Sequence, residues 1–257
     1  MKNILKKTLG IGVMLFTLIS CTEDPISSKV TYFPIITQNS PELNPIFVEL
    51  GDPFTDPGAV ATENNEVIDL STKYVGHYRK NVFNETLDTS VADIYTTEYS
   101  AINVDGFPGV STRQVIVAET GDLVNSIAGL YTSTVFRNGS QPATNPEDYT
   151  DIEYILIWKN ADGSYGISDT FGGWYEYGRA IADSETPGGI IVANDIATND
   201  FSFPGTQTNS YFGGTSEIES LTVDAATKTL VLTTSWVAPG SPPTNYTFVS
   251  TLTQVQF

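Results

Sequence analysis

The stretch from Glu49 to Ala61 decides the fold of the first half of the chain, and it reads ELGDPFTDPGAVA. Pro53 and Pro57 fix the backbone torsion φ and remove two amide donors, so a regular strand cannot continue through this stretch. Asp56 suits an Asx-type turn, and Gly58 can adopt the positive φ that such a turn needs. The stretch therefore predicts a corner at which the chain leaves one β-sheet and crosses to another.

The rest of the chain carries the pattern of an all-β protein. Short alternating runs rich in Val, Ile, Thr, Tyr and Phe are separated by Gly, Pro, Asn and Asp, and no stretch keeps a helical apolar period over three turns. The Asp-Gly pair within residues 160–163 predicts one hairpin, and residues 225–228 predict a second. The predicted strands lie at 46–50, 95–102, 113–117, 154–158, 220–223, 229–236 and 247–255.

The first half resembles a known family of bacterial Ig-like domains, found in Bacteroidetes lipoproteins and pesticidal crystal proteins. The resemblance rests on residues 49–61, on the run from Tyr95 to Tyr99, on the Asp105–Gly106 turn and on the strand from Arg113 to Val117. It covers residues 30–118 and implies an Ig-like β-sandwich. Asp52 and Asp56 could also be read as calcium ligands, but turn chemistry explains both, so no metal site is predicted.

The second half, residues 129–257, reads as an antiparallel meander of about eight strands, which would close into an up-and-down β-barrel or fold as a sandwich. This layout is like that of lipocalins, and it resembles the C-terminal β domain that follows Ig-like modules in Bacteroidetes lipoproteins of uncharacterised function. Residues 119–128 are predicted to link the two domains.

The N-terminus reads as an export signal. Three lysines precede an apolar run from Leu9 to Ile19, which is shorter than the roughly 20 residues that a membrane-spanning helix needs. The run ends in Leu-Ile-Ser-Cys, which resembles the lipobox of bacterial lipoproteins and implies cleavage after residue 20 and lipidation of Cys21. The alternatives are an ordinary signal peptide with a chance cysteine, or a short anchor helix.

Residues 21–29 form an acidic tether. Glu23 and Asp24 follow the cysteine closely and resemble the surface-export signal of Bacteroidetes-type lipoproteins, although a solvated tether would have the same composition. The resemblance implies a protein held at the outer membrane through its lipid, facing outward.

Composition excludes several classes of function. The 257 residues include 12 basic and 30 acidic ones, for a net charge of −18, and there is no basic cluster for nucleic acid after residue 7. Removal of residues 1–20 takes away three lysines and no acids, so −18 becomes −21. One Cys and one His cannot form a disulfide or a thiol–imidazole metal cage, and a catalytic triad would depend on His77 alone.

The densest aromatic stretch, residues 171–179, reads FGGWYEYGR and has the composition of a sugar-binding surface. If it is a strand, Trp174 and Glu176 face one side and the two tyrosines face the other. The alternative is that these rings pack in the core. The candidate ligand-binding residues are Trp174, Tyr175, Glu176, Tyr177 and Arg179.

No sequence motif for catalysis or for a cofactor is found. We therefore predict a non-catalytic surface lipoprotein that binds a polysaccharide and serves an outer-membrane uptake complex, with the Ig-like domain as a spacer. The alternative is a structural or adhesive surface protein that binds protein partners.

Overall fold

The computed structural model describes residues 29–257. Residue contacts separate Met1–Tyr32 from Phe33–Phe257, and every strand of the described residues lies in the second unit. The predicted signal peptide, Cys21, Glu23 and Asp24 lie outside the described residues. Within residues 29–257, no helix is long and apolar enough to cross a bilayer.

The first domain is a sandwich of two sheets. One sheet has the strand order β1-β3-β4 and the other β2-β8-β7-β5-β6, with β2 parallel to β8 and the remaining pairs antiparallel. The arrangement confirms the predicted Ig-like fold. The strands are β1 (Ile35–Gln38), β2 (Ile46–Glu49), β3 (Ala59–Glu63), β4 (Glu66–Ile68), β5 (Ser71–Gly76), β6 (Val82–Asn84), β7 (Asp93–Ile102) and β8 (Pro108–Ala118).

The predicted corner lies between β2 and β3, where the chain passes from one sheet to the other. Asp56 organises it: Oδ1 accepts hydrogen bonds from the Gly58 amide at 2.8 Å and the Tyr99 hydroxyl at 2.6 Å. Its Oδ2 accepts one from the Tyr74 hydroxyl at 2.9 Å, and the buried Arg113 lies at 3.6 Å from Oδ1. The Asx turn is confirmed, and the carboxylate also ties the corner to β5, β7 and β8.

The second domain is one curled antiparallel sheet of nine strands. The order is β13-β12-β11-β10-β9-β17-β16-β15-β14, so strands adjacent in sequence are adjacent in space except β13 and β14, and β9 additionally pairs with β17. The strands are β9 (Gly129–Arg137), β10 (Ile152–Lys159), β11 (Tyr165–Ile167), β12 (Gly189–Asp195), β13 (Asp200–Ser202), β14 (Gln207–Asn209), β15 (Gly213–Asp224), β16 (Thr229–Ala238) and β17 (Thr244–Gln254), and a 3-10 helix spans Pro146–Tyr149.

The pairing of β9 with β17 joins the first strand of this domain to its last, as an up-and-down barrel requires. The sheet stays open instead between β13 and β14, which are connected by a short loop but form no ladder. Both predicted hairpins are confirmed, since β10 pairs with β11 and β15 with β16.

The long connection between β11 and β12, residues 168–188, folds into the curled sheet, and we call it the plug. Phe171 and Trp174 are buried in its centre. The strand alternation expected for residues 171–179 is wrong, because this stretch forms successive turns. Hydroxyls of the surrounding strands satisfy the plug backbone: Ser133 donates to the Gly172 carbonyl and Thr234 to the Thr170 carbonyl, both at 2.8 Å.

A buried carboxylate shapes the start of the plug. Asp169 Oδ1 accepts hydrogen bonds from the amides of Phe171 at 2.9 Å and Thr186 at 3.0 Å, and Oδ2 accepts one from Gly173 at 3.0 Å. Burial raises the pKa of Asp169 to about 6 in spite of these three donors. The plug therefore depends on a group that is completely enclosed by protein.

The two domains share an apolar cluster. Ile116 and Ala118 at the end of β8 pack with Leu130 and Leu156 of the second domain, and all four side chains are fully or almost fully buried. Residues 119–128, predicted as a linker, also contribute buried side chains to the second domain's core, among them Leu123 and Ile127.

Replacement of Gly172 by Ala tests the plug. Gly172 has φ +62°, and an added Cβ would collide with the Ser250 side chain, so we expect the free energy of unfolding to fall by about 3 kcal/mol. Gly163→Ala is the matched control, because Gly163 has φ +88° but open space around it, and we expect a loss of about 1–2 kcal/mol. Urea unfolding followed by tryptophan fluorescence measures both, and equal losses would contradict the packing of the plug.

Candidate functional site

A cleft of about 270 Å³ opens at the boundary between the two domains. The loop after β5 forms one wall, and the plug with the residue after β14 forms the other. The lining residues are His77, Tyr78, Lys80, Asp183, Glu185, Pro187 and Ser210.

Asp93 fixes the wall that belongs to the first domain. Its side chain is buried at the start of β7, where Oδ1 accepts the Tyr78 amide at 2.9 Å and Oδ2 accepts the Arg79 amide at 2.8 Å. The Gly76 amide donates to the Asn81 carbonyl and closes the loop. The backbone of this loop is therefore held in one shape, and the His77 and Tyr78 side chains point toward the second domain.

The opposite wall is held from within the second domain. The buried side chain of Asn209 donates to the Ser184 carbonyl at 2.6 Å and to the Thr186 hydroxyl at 3.0 Å. The Ser210 amide donates to the Glu185 carbonyl at 3.0 Å. These bonds enclose Glu185 on both sides along the chain, so its carboxylate has a fixed position in the cleft.

Glu185 is the meeting point of the two walls. Its Oε2 lies 2.8 Å from His77 Nε2, and its Oε1 accepts a hydrogen bond from the Tyr78 hydroxyl at 2.6 Å. The Tyr78 ring also stacks on Trp158 of the second domain, with centroids 6.1 Å apart. A carboxylate that is almost fully buried is thus satisfied by two side chains from the other domain.

The cleft favours protonated groups. The hydrogen bond to Glu185 raises the pKa of His77, against the opposing effects of burial and of Lys80. Burial raises the pKa of Glu176, and the nearby negative charges of Glu185 and Asp183 add to that effect. The cleft therefore combines proton donors and acceptors within a small volume.

The aromatic candidates divide between the core and the cleft. Trp174 and Tyr175 are 2% and 4% exposed, and they pack among Phe171, Trp236 and Phe248. They present no ring face to a ligand, because the plug places them inside the sheet. This corrects the expectation that the stretch forms an aromatic surface.

Arg137 covers the outer side of this aromatic cluster. Its guanidinium lies 4.9 Å from the Trp174 ring centroid and 4.8 Å from that of Tyr246, and it donates to the Tyr175 hydroxyl at 3.1 Å. Arg179 is exposed, and its guanidinium lies 5.9 Å from the Tyr175 ring centroid. Both guanidinium groups therefore make cation–π contacts that cover aromatic faces a ligand would otherwise need.

Glu176 and Tyr177 lie at the border of the cleft. Glu176 Oε2 accepts the Ser184 amide at 2.8 Å, which orders the chain before Glu185. Tyr177 is 37% exposed; burial of its phenol raises the pKa, the nearby Glu185 charge adds to this effect, and the hydrogen bond with Tyr78 opposes it. Tyr177 is therefore the aromatic residue of the stretch that is exposed to solvent and also adjoins the cleft residues Tyr78 and Glu185.

No sequence pattern indicates that His77 and Glu185 come together. They are 108 residues apart, and in the sequence His77 is only the single imidazole on a polar segment. Glu185 was one of 30 acids, and Tyr78 carried no motif. Among the described residues, no group of three or more His, Cys, Asp or Glu side chains is arranged to hold a metal ion.

Comparisons with known proteins agree with this architecture. A family model for a bacterial surface protein Ig-like domain matches residues 42–117, and a model for a C-terminal domain matches residues 120–254, just over half of the chain. Neither is an enzyme family. The crystal structure of the lipoprotein BT2262 from Bacteroides thetaiotaomicron is similar with a TM-score of 0.58 and 26% identity, covering 86% of this chain and 100% of that one. No curated protein matches.

The contact between His77 and Glu185 can be measured directly, because the chain contains one histidine and thus one imidazole signal in an NMR titration. We expect the pKa of His77 to lie above its ordinary value of about 6.5 and to fall in Glu185→Gln. Lys80→Gln is the opposing control, since removal of that positive charge raises the pKa of His77 further. The same pKa in the wild type and in Glu185→Gln would show that the pair does not form.

The same contact makes stability depend on pH. The folded-state pKa of His77 is higher than the unfolded one, so its contribution is complete below about pH 6.5 and is lost as the pH rises through the folded-state value. Asp169, with its pKa raised to about 6, acts in the same direction. We therefore expect the free energy of unfolding to fall between pH 5 and pH 8 less steeply in His77→Gln than in the wild type.

Proposed function

The chain belongs to the family defined by the C-terminal domain at residues 120–254 and is a cell-surface lipoprotein of Bacteroides type, and from that premise we propose that it is a non-catalytic polysaccharide-binding protein of the outer membrane. Cys21 would carry the lipid, and Glu23 and Asp24 would direct the protein to the outer face. The protein would deliver glycan to an outer-membrane uptake complex.

The cleft between the domains is the observation that supports glycan binding. Sugar recognition needs ring faces for C–H groups and paired donors and acceptors for hydroxyls, and the cleft has both kinds of group. Tyr78 lines the cleft and the half-exposed ring of Tyr177 adjoins it, while Lys80, Asp183 and Ser210 supply polar atoms at the edge. Its volume, about 270 Å³, is near the lower end for small-molecule sites and suits a short part of a sugar chain.

The state of Glu185 favours binding over catalysis. Glycoside hydrolysis needs two carboxylates that are available to the scissile bond. Both oxygens of Glu185 are already hydrogen-bonded to protein side chains, one to His77 and the other to the Tyr78 hydroxyl. The Glu176 carboxylate accepts a hydrogen bond from a backbone amide. These carboxylates therefore serve to fix the walls of the cleft.

A second candidate function is adhesion to a protein partner. The burial of Trp174 and Tyr175 favours it, because a broad aromatic platform for a polysaccharide is missing at those residues. In that case the Ig-like domain would contribute to the contact, and the cleft would bind no sugar. The two candidates differ in whether loss of Tyr177 changes binding to soluble glycans.

Tyr177→Ala tests the glycan proposal. We expect it to weaken binding to a retained polysaccharide about tenfold or more, because stacking and a hydroxyl contact are both lost. Phe136→Ala is the control, since Phe136 is 38% exposed, like Tyr177 at 37%, but lies on β9, whereas Tyr177 neighbours the cleft residues Tyr78 and Glu185. Affinity gels against a panel of plant, host and microbial glycans give the measurement.

If none of these glycans slows the migration of the intact protein in the gel, adhesion becomes the better proposal. If it binds a glycan but Phe136→Ala and Tyr177→Ala weaken binding equally, the cleft is not the site. Tyr177→Phe separates the contribution of the hydroxyl from that of the ring.

A further inference from the structure

One hairpin of the first domain exposes a group of large apolar side chains at its tip. β7 and β8 pair as far as Ile102 opposite Pro108, and residues 103–107 form the turn. Ile102 is 67% exposed and Val104 is 79% exposed. We call this group the apolar tip, and its members are Phe33, Ile102, Val104, Phe107 and Val110.

The turn that carries the tip is firmly built. Asn103 is buried, and its Oδ1 accepts hydrogen bonds from the amides of Asp105 at 3.1 Å and Phe107 at 2.7 Å. The Asn103 amide donates to the Phe107 carbonyl, and the Gly106 amide donates back to the Asn103 carbonyl. The exposure of Val104 is therefore fixed by the hydrogen bonds of the turn.

The tip lies where the chain enters the folded unit. The Phe33 ring is 5.3 Å from the Phe107 ring, and Pro34 packs so closely on Gly109 that a Cβ there would not fit. Phe33 lies twelve positions after Cys21, and this length of chain spans at most about 40 Å when fully extended. A lipid on Cys21 would therefore keep the apolar tip within reach of the bilayer.

Charge around the tip favours an uncharged apolar partner. No Lys or Arg occurs in residues 33–72 or 81–112, so the strands beside the tip offer nothing to attract anionic headgroups. Glu63 lies close by, with its carboxylate accepting the Val104 amide at 3.0 Å. Burial of apolar surface is then the available driving force, and it would act without electrostatic help.

We propose that the apolar tip docks into the outer leaflet of the membrane that holds the lipid anchor. This inference rests on the proposed anchoring through Cys21. The tip is small, but the anchor supplies a high local concentration, so a weak interaction suffices to hold the first domain against the surface. The occupant is the interfacial region of a lipid bilayer.

A thiol-specific label tests the docking in the lipidated full chain. The chain contains one cysteine, Cys21, and lipidation consumes its thiol, so Val104→Cys provides a unique site for an environment-sensitive fluorophore. Val237→Cys on β16, exposed in the second domain, is the matched control. In phosphatidylcholine vesicles we expect aqueous iodide to quench the label at residue 104 about fivefold less than the label at residue 237. A lipid-attached nitroxide should quench it more.

A second variant separates docking from mere closeness to the anchor. Ile102→Asp with Phe107→Asp in the Val104→Cys background should return the label to water, because charged side chains resist entry into the interface. Equal iodide quenching at 104 and 237, or protection that survives both aspartates, would overturn the docking. Failure of the lipidated chain to float with vesicles would instead overturn the anchoring and the docking that rests on it.

Discussion

The apolar cluster shared by the two domains is the constraint on which the remaining structure depends. Ile116 and Ala118 at the end of the Ig-like domain are buried by Leu130 and Leu156 of the C-terminal domain, so neither domain has a complete core at this face alone. This contact aligns the loop after β5 with the plug. The cleft and the contacts of Glu185 follow from that alignment, and the Ig-like domain forms one wall of the candidate site.

Buried and partly buried carboxylates do much of the local organisation. Asp56 sets the corner of the sandwich, Asp93 sets one wall of the cleft, Asp169 starts the plug and Glu185 joins the domains. Each accepts amide or hydroxyl hydrogen bonds that the backbone and side chains would otherwise leave unsatisfied. Some of the acidic side chains therefore lie inside the protein, and only the others contribute negative charge to its surface.

The sequence predicted the features that depend on neighbouring residues. Pro53 and Pro57 predicted the corner, and Asp162 with Gly163 predicted the first hairpin of the second domain, because turn chemistry is local. The plug could not be predicted in this way, since its backbone is satisfied by Ser133 and Thr234 from distant strands. The site was missed for the same reason: the His77–Glu185 contact exists only after both domains have folded and packed.

The pairing of β9 with β17 sets an order of events during export. Phe248 pairs with Arg137 across more than a hundred residues, so the C-terminal sheet cannot close until almost the whole chain has crossed the membrane. The Ig-like domain emerges earlier and can form from its own strands while its Ile116 and Ala118 face still lacks a partner. During that interval the exposed face is open to association with other chains, and this exposure ends only when the last strand has paired.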